Sequence, residues 1–398
     1  MNREDFPMLD NNLIYFDNGA TTFKPRVVLD KMNEYYTKYC ANCHRGDYNI
    51  SYQVDAEYEG VRDLVTEFIN ARGREEIVFT RGTTESINMV VSGFMANMLE
   101  TNDEIIISKS EHASNVLPWF RLAKNNNCKI KYVPLNEKYQ LTLENLKKVV
   151  TPKTKVIALA HVTNVIGDIR PIKEICAYAH SKGIFVVVDG AQSIPHMQVD
   201  VQELDVDFYA FSAHKMLGPT GVGVLYGRRE LLEHLEPMEL GGGMNDSFEN
   251  EHQVILKPLP TRLEAGTPNI VGVLGMGAAI EYINSLGIDK ITRHEENLRK
   301  YLMNKLANIP HLDIINPDSK AAIVSFNIED IFSQDVAYYL NKYNICVRAG
   351  NHCAKILKGE TGVSNTIRIS LYIYNSYEEL DELVELLKDK EKIMSEMI

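Results

Sequence analysis

Nowhere does this chain carry the roughly 20 consecutive apolar residues that a helical membrane span requires, so no membrane association is expected. Its first residues, Met1-Asn2-Arg3-Glu4-Asp5, lead into no apolar core. A secretory signal is therefore not expected, and a cytoplasmic protein is. Positive charge is in deficit, with 42 lysines and arginines against 54 acidic residues and a net charge of −12. A nucleic-acid backbone attracts basic surfaces, so direct nucleic-acid binding is not expected. A local basic patch around a small anion is still compatible with that balance. Cysteine is sparse and scattered, at Cys40, Cys43, Cys128, Cys176, Cys346 and Cys353. Without a secretory signal these are expected as reduced thiols rather than a disulfide framework. Cys40-Ala41-Asn42-Cys43-His44 matches the c-type haem attachment pattern, but nothing in the chain provides the export that attachment normally needs. No second C-x-x-C follows at a spacing suited to zinc, so no metal site is expected. Repeats and low-complexity segments are absent as well.

What is present is an ordinary globular composition, 45% hydrophobic and 24% charged, over 398 residues. Single cores rarely grow beyond about 250–300 residues, so two domains are expected. Between residues 75 and 226 short apolar runs alternate with segments at helical period. The runs are Ile77–Thr80, Ile105–Ser108, Ile130–Pro134, Val156–Ala160, Phe185–Asp189, Asp207–Phe211 and Val222–Tyr226. Their near-continuous apolarity suits strands covered on both faces, and the alternation indicates an α/β fold with a seven-stranded, mainly parallel sheet. The seventh run follows the sixth too closely for a crossover helix, which allows it to be antiparallel. After Gly241-Gly242-Gly243, a polar stretch to about Leu259 reads as a loop or hairpin, and a long helix is expected from Ile270 to about Leu286. Beyond it the texture becomes α+β, with strands near Ala322–Phe326, Ile345–Arg348 and Ile367–Leu371. A final helix is expected from Ser376, with Glu379 completing a capping box and Leu380, Leu383, Leu386 and Leu387 on its buried face. The expected division is an N-terminal segment over 1–14 that packs with the small domain, a large domain over 15–285 and a small C-terminal domain over 286–398.

Chemistry concentrates just past these runs. Lys215, in Ser212-Ala213-His214-Lys215, follows one buried run, and Asp189 ends another. An amine and a carboxylate so placed suit the two ends of pyridoxal phosphate. The lysine can form a Schiff base with the aldehyde, and the aspartate can keep the pyridinium nitrogen protonated so that the ring acts as an electron sink. Arg81-Gly82-Thr83-Thr84-Glu85 lies between a strand and a helix, where amides and threonine hydroxyls can hold a phosphate. Alone it would be an N-cap with a turn glycine. Ser212 and His214 can donate to the same phosphate, and His112 can stack on a flat ring and exchange protons. Cys353, in Arg348-Ala349-Gly350-Asn351-His352-Cys353, stands beside a histidine and near an arginine, a setting that can lower a thiol pKa and make a nucleophile. Arg368 is a lone charge in the apolar strand pattern Ile367-Arg368-Ile369 and needs a partner. An amino-acid carboxylate held bidentately would supply one.

Taken in order along the chain, these segments resemble the cysteine desulfurases of the class V aminotransferase group, within the fold-type I pyridoxal phosphate superfamily. Phe16-Asp17-Asn18-Gly19-Ala20-Thr21-Thr22 and Glu264-Ala265-Gly266-Thr267-Pro268-Asn269 belong to the same likeness, which spans nearly the whole chain. It is closest to the branch that includes selenocysteine lyases, and the short interval from Cys353 to Arg368 is similar to the members with a short, ordered catalytic loop. The resemblance implies Lys215 as the Schiff-base lysine, Asp189 as the pyridinium partner, His112 as the stacking histidine and Gln192 as donor to the ring's phenolic oxygen. It implies Thr83, Thr84, Ser212 and His214 as phosphate ligands. Thr267 would reach the phosphate of a neighbouring subunit, which implies a homodimer with sites at the interface. His44, Asn164, Arg348 and Arg368 match substrate-side positions, and Cys353 matches the persulfide-forming cysteine. Asn351 stands where relatives often have histidine, and Gly19 where alanine is usual.

The implied reaction takes L-cysteine, or L-selenocysteine, to alanine. It leaves the sulfur as a persulfide on Cys353 for an acceptor protein, with iron–sulfur cluster assembly or tRNA thiolation downstream. Epimerisation and transamination are the alternatives on the same scaffold.

Overall fold

The computed structural model describes residues 2–44, 46–250 and 253–396. Its central sheet has seven strands, lying side by side in the order Ile77–Thr80, Gly223–Gly227, Phe208–Ser212, Phe185–Asp189, Thr154–Ala160, Glu104–Ser108 and Lys129–Val133. Six share one direction. Gly223–Gly227 runs antiparallel to both neighbours, as its short connection allows. Period-two alternation sends Val186 and Val188 into one core and Val187 into another, so both faces are apolar. That is why these strands read as continuous β-branched runs.

The first core is closed by the helix Ile270–Leu286, which packs against Arg26–Lys38 and Asn49–Phe68. Gly287, at φ 83°, then turns the chain, and the next helix, Ile288–Leu306, leaves at 75°. Residues after that turn build a four-stranded antiparallel sheet in the order Leu312–Ile314, Ile323–Ile328, Thr366–Ser370 and Arg348–Gly350, with a core of its own. Among the described residues no single helix is long and apolar enough to cross a membrane.

Three local outcomes differ from the sequence reading. The run expected as one strand over Ile345–Arg348 is two. Ile345–Cys346 pairs with Ile14–Tyr15, and Arg348–Gly350 pairs with Thr366–Ser370. The capping box at Ser376 and Glu379 forms, but a further helix, Lys390–Glu396, follows Tyr377–Leu387, and Val384 rather than Leu386 completes the buried face. The N-terminal segment touches both cores: Phe6 packs on Tyr282 and Tyr374, while Ile14 packs against the core of the small sheet. The stretch between Gly243 and Leu259 forms a hairpin of Asn245–Asn250 and Gln253–Leu256.

Gly223 begins its strand where the turn at Gly82 crosses it. A Cβ there would lie 2.5 Å from the Gly82 Cα and from the Phe211 carbonyl oxygen, both backbone atoms that cannot swing aside. Gly223→Ala is therefore expected to destabilise the fold by about 1–3 kcal/mol through overpacking, read as a lowered thermal midpoint. An unchanged midpoint would show that the turn has slack.

Candidate active site

Asp189 and Lys215 come together because their strands are neighbours that end on the same side of the sheet, the edge where open α/β sheets place ligands. The Asp189 carbonyl accepts from His161 N (2.8 Å), and its carboxylate accepts from Ala191 N (3.0 Å). Burial pushes this carboxyl up to about 6, against the pull of Lys215. Burial likewise pushes the Lys215 amine down to about 8, against the pull of Asp189. Lys215 ends a short turn, Ala213–Lys215, that is anchored at the carbonyl of His214. That carbonyl receives Thr22 N (3.0 Å), Thr21 Oγ1 (3.1 Å), Thr22 Oγ1 (3.2 Å) and Lys24 Nζ (3.2 Å). The anchoring role of Thr21, Thr22 and Lys24 was not legible in the sequence. Nothing in their spacing says which carbonyl they meet.

The turn at Gly82 (φ 145°) opens the helix that begins at Thr83. Thr83 N and Thr83 Oγ1 both lie 2.8 Å from Ser212 Oγ, and Thr84 Oγ1 lies 2.7 Å from Ser114 Oγ. Four hydroxyls therefore sit at a helix start, where the dipole favours an anion. Burial, with Lys215 and Lys24 nearby, pushes the His214 imidazole down to about 4, so it is neutral at pH 7. His112 is also neutral, pushed to about 4 by burial and then by Lys215. Its Nδ1 accepts from Ser114 N (3.2 Å), which leaves Nε2 to carry the proton. Gln192 Nε2 donates to the Gly19 carbonyl (2.8 Å), with a second amide hydrogen to spare. Ser114 is a lining residue that the sequence reading missed.

One cavity of about 170 Å³ is lined by Thr83, Thr84, His112, Asp189, Gln192, Ser212, His214 and Lys215. Asn164, Arg348 and Arg368 line it too. These residues fit pyridoxal phosphate: an amine, an acid, neutral imidazoles and a hydroxyl-rich helix start share one wall. Arg368 and Arg348 face each other across neighbouring strands, a like-charge pair that is unfavourable without an anion. The sequence reading left the partner of Arg368 to the substrate. The structure supplies part of it, since Arg368 Nη2 donates to Asp17 Oδ1 (2.8 Å) and Nη1 to the Asn164 carbonyl (3.1 Å). Arg368 Nε and Asn164 Oδ1 are buried without a partner among the described residues. A carboxylate bound between the two guanidiniums answers the charge that Asp17 alone leaves over. A Cβ on Gly19 would come within 3.1 Å of the Arg368 guanidinium, so the glycine leaves room there.

Cys353 is exposed, directly after the cavity-lining His352 and near enough to act on the Lys215 amine, in a loop tied down by Ala113 N to its carbonyl (2.8 Å) and Asn164 Nδ2 to the His352 carbonyl (2.8 Å). The neighbouring imidazole does not serve the thiol as the sequence suggested. His352 is buried and turned inward, with Nε2 2.9 Å from Thr366 Oγ1, and burial pushes it down to about 3. Two candidates are not in the cavity at all. His44 sits beside Glu59 (3.4 Å), whose carboxylate pushes its pKa up. Thr267 lines a separate opening, with Arg81 and Glu85, on the outer side of the phosphate turn. Cys43, His44 and Asp55 lie within 4.8 Å of one another. Asp55 already accepts from His44 N, and burial pushes the Cys43 thiol up to about 12, so at neutral pH the thiol keeps the proton that a metal would have to displace.

The fold and this site define a class: residues 14–383 match the aminotransferase class-V family, and the chain belongs to it. Within that class it is similar to a probable cysteine desulfurase of Halalkalibacterium halodurans, 44% identical over 392 residues that cover 97% of this chain and 96% of the relative. The solved cysteine desulfurase of Thermococcus onnurineus NA1 superimposes with a TM-score of 0.94 at 38% identity, over 99% of this chain and 97% of that one. A cysteine desulfurase of Escherichia coli, solved with an S-sulfonic acid, gives a TM-score of 0.93 at 36% identity, over 100% and 98%.

Because burial raises Asp189 from 3.8 to about 6, the folded protein without ligand holds that proton more tightly than the unfolded chain does. The stabilisation is complete below the unfolded pKa and is lost as pH rises through the folded one. Asp189→Asn is therefore expected to raise the melting temperature of the cofactor-free protein at pH 7.5 more than at pH 4, while weakening cofactor retention. Equal shifts at both pH values in thermal melts would contradict this.

Proposed function

We propose that this protein is a pyridoxal phosphate-dependent cysteine desulfurase that converts L-cysteine to L-alanine and keeps the sulfur as a persulfide on Cys353. The observation that carries the reading is the thiol itself. A loop of the small sheet holds Cys353 directly after His352, which lines the cavity with Lys215, Asp189 and the paired arginines, and within electrostatic reach of Lys215. Relatives and solved neighbours named as cysteine desulfurases support it.

Asp189 would meet the pyridinium nitrogen, and Thr83, Thr84, Ser212 and His214 would hold the phosphate. Bound there, the cofactor supplies a sink for the electron pair left on Cα when its proton is removed. Arg368 and Arg348 grip the substrate carboxylate, and Asn164 turns the free Oδ1 toward the same space. Lys215, with its amine pushed down to about 8, is available near neutral pH to take the Cα proton. The Cys353 thiolate then attacks the substrate sulfur. An S–S bond forms and the C–S bond breaks, with its electron pair staying on carbon. That carbon takes a proton, Lys215 returns one to Cα and alanine leaves, while a persulfide, one of the reversible caps of a thiolate, remains on Cys353.

The exposure of Cys353 suits transfer of that sulfur to an acceptor protein, with iron–sulfur cluster assembly or another thiolation downstream. Thr267, outside the cavity of its own chain but beside the phosphate turn, suits a homodimer whose sites lie at the interface. Six free cysteines suit a reducing, cytoplasmic setting.

Cys353→Ser is expected to lower alanine formation from cysteine by roughly a thousandfold or more, while the bound cofactor keeps its visible absorbance. Alanine and sulfide assays on the purified variant test this, and undiminished turnover would remove Cys353 from the reaction. L-Selenocysteine in parallel separates a lyase, whose better leaving atom needs no thiol.

A further inference from the structure

Beneath His112 lies an ion pair that the reaction does not use directly. The side chains of Glu111 and Arg170 contact each other and are fully buried. Arg170 also donates to Ser108 Oγ (2.7 Å), Ser110 Oγ (2.8 Å) and the Ala160 carbonyl (3.2 Å). The Glu111 carboxylate accepts from Ser108 Oγ (2.7 Å), Asn115 Nδ2 (2.9 Å) and Ala160 N (2.7 Å). The pair thus sutures the end of the strand Glu104–Ser108 to the end of the neighbouring strand Thr154–Ala160. The residue after each anchor has a task. His112 follows Glu111, and His161, which follows Ala160, donates its N–H to the Asp189 carbonyl (2.8 Å). Arg170 N in turn donates to the His161 carbonyl (2.9 Å).

A buried ion pair rarely stabilises a fold more than apolar side chains of the same volume would, because desolvating both charges offsets their attraction. Stability alone therefore does not account for it. We propose that Glu111 and Arg170 are positioning residues of the cofactor site: together they fix the His112 loop and balance the field felt by the Asp189 carboxylate. This rests on the reading that Asp189 meets the pyridinium nitrogen.

The balance has two opposing parts. Ala160, which both side chains hold, is the register partner of Asp189 on the next strand, so both charges act on Asp189 from there: Glu111 raises its proton affinity and Arg170 lowers it, beside the larger influences of burial and Lys215. The other groups that face Asp189 are uncharged: Tyr209 is held as the phenol by burial, and His161 is pushed by burial down to about 4. Asp168 adds a second buried carboxylate beside Arg170, its Oδ2 lying 3.5 Å from Arg170 Nε and accepting from Leu141 N (2.9 Å). Neutralising Glu111 leaves Arg170 with Asp168 alone, and neutralising Arg170 leaves Glu111 unpaired, so the two single substitutions act on Asp189 with opposite sign. A purely structural pair would give the same sign for both.

The experiment is an acid titration of the holoenzyme, following the visible cofactor band and the cofactor retained after dialysis. Glu111→Gln is expected to move the pH at which cofactor is lost downward, and Arg170→Met to move it upward, each by about half a unit or more. The double variant is expected to return toward the wild type. Arg170→Lys keeps the charge but loses the forked contacts, so it should keep the wild-type midpoint while turnover falls. Shifts of one sign in both single variants, or no shift in either, would overturn the balancing role. A wild type that binds no cofactor would instead overturn the reading of the site. In that event thermal melts of the ligand-free variants across pH still test the balance, because Asp189 titrates there too. If a methionine at 170 prevents folding, Glu111→Gln against Arg170→Lys decides: a midpoint that moves with Glu111→Gln alone supports the proposal, and equal shifts refute it.

Discussion

Desolvation of charge at the carboxyl ends of two adjacent strands is the constraint on which the rest of this site depends. Burial is the first cause at Asp189, which it raises, and at Lys215, His112, His214 and His352, which it lowers. Each group is driven toward its neutral form, since a low-dielectric setting disfavours charge whatever its sign. The result is a cleft whose imidazoles donate without competing as cations and whose amine can take a proton near neutrality. A ligand with a cationic ring nitrogen at one end and an anionic phosphate at the other returns to Asp189 and to the helix start the partners that burial removed.

The same constraint explains why the two sheets are locked together at the site rather than merely adjacent. Arg368 stands on the small sheet but reaches the Asn164 carbonyl of the large-sheet side, and Asp17 of the N-terminal stretch that runs along the small sheet. Asn164 reaches back to the His352 carbonyl, and Ser370 Oγ receives Gly19 N (2.7 Å). Asp17 itself bridges to Ser370. A guanidinium this deeply buried is tolerated only where several acceptors converge. Segments far apart in sequence must therefore meet before the Arg368 guanidinium is satisfied. Burial of that charge and registration of the two sheets are in this sense one interaction.

The large sheet was legible because strands covered on both faces must be apolar at every position, and Val186, Val187 and Val188 show it without ambiguity. Lys215 and Asp189 were legible because a charge directly after such a run has few structural explanations. The inward turn of His352 was not, because its partner, Thr366, is set by the pairing of Arg348–Gly350 with Thr366–Ser370, a long-range register. Nor was the split of the Ile345–Arg348 run. A two-residue strand such as Ile14–Tyr15 has no periodicity to read, so its claim on Ile345 and Cys346 was invisible. His44 and Thr267 mark a different limit. Their assignment came from resemblance alone, and within one chain they have other neighbours.

The loop that presents Cys353 shows how a reactive group can be exposed and still held. His352 and Cys353 adopt φ of 50° and 59°, two consecutive left-handed residues without the freedom of glycine. Such conformations persist only where the surroundings over-determine them. Here the His352 carbonyl, the His352 ring and the Cys353 carbonyl are each bonded, to Asn164, Thr366 and Ala113 respectively. Every anchor uses backbone or the neighbouring imidazole, and none uses the thiol. The constraint therefore falls on the chain to either side and leaves the sulfur unencumbered. The division is a fixed backbone with a free side chain. His352 is thus better understood as the ligature that fixes the chain beside Cys353 than as a base for its thiol.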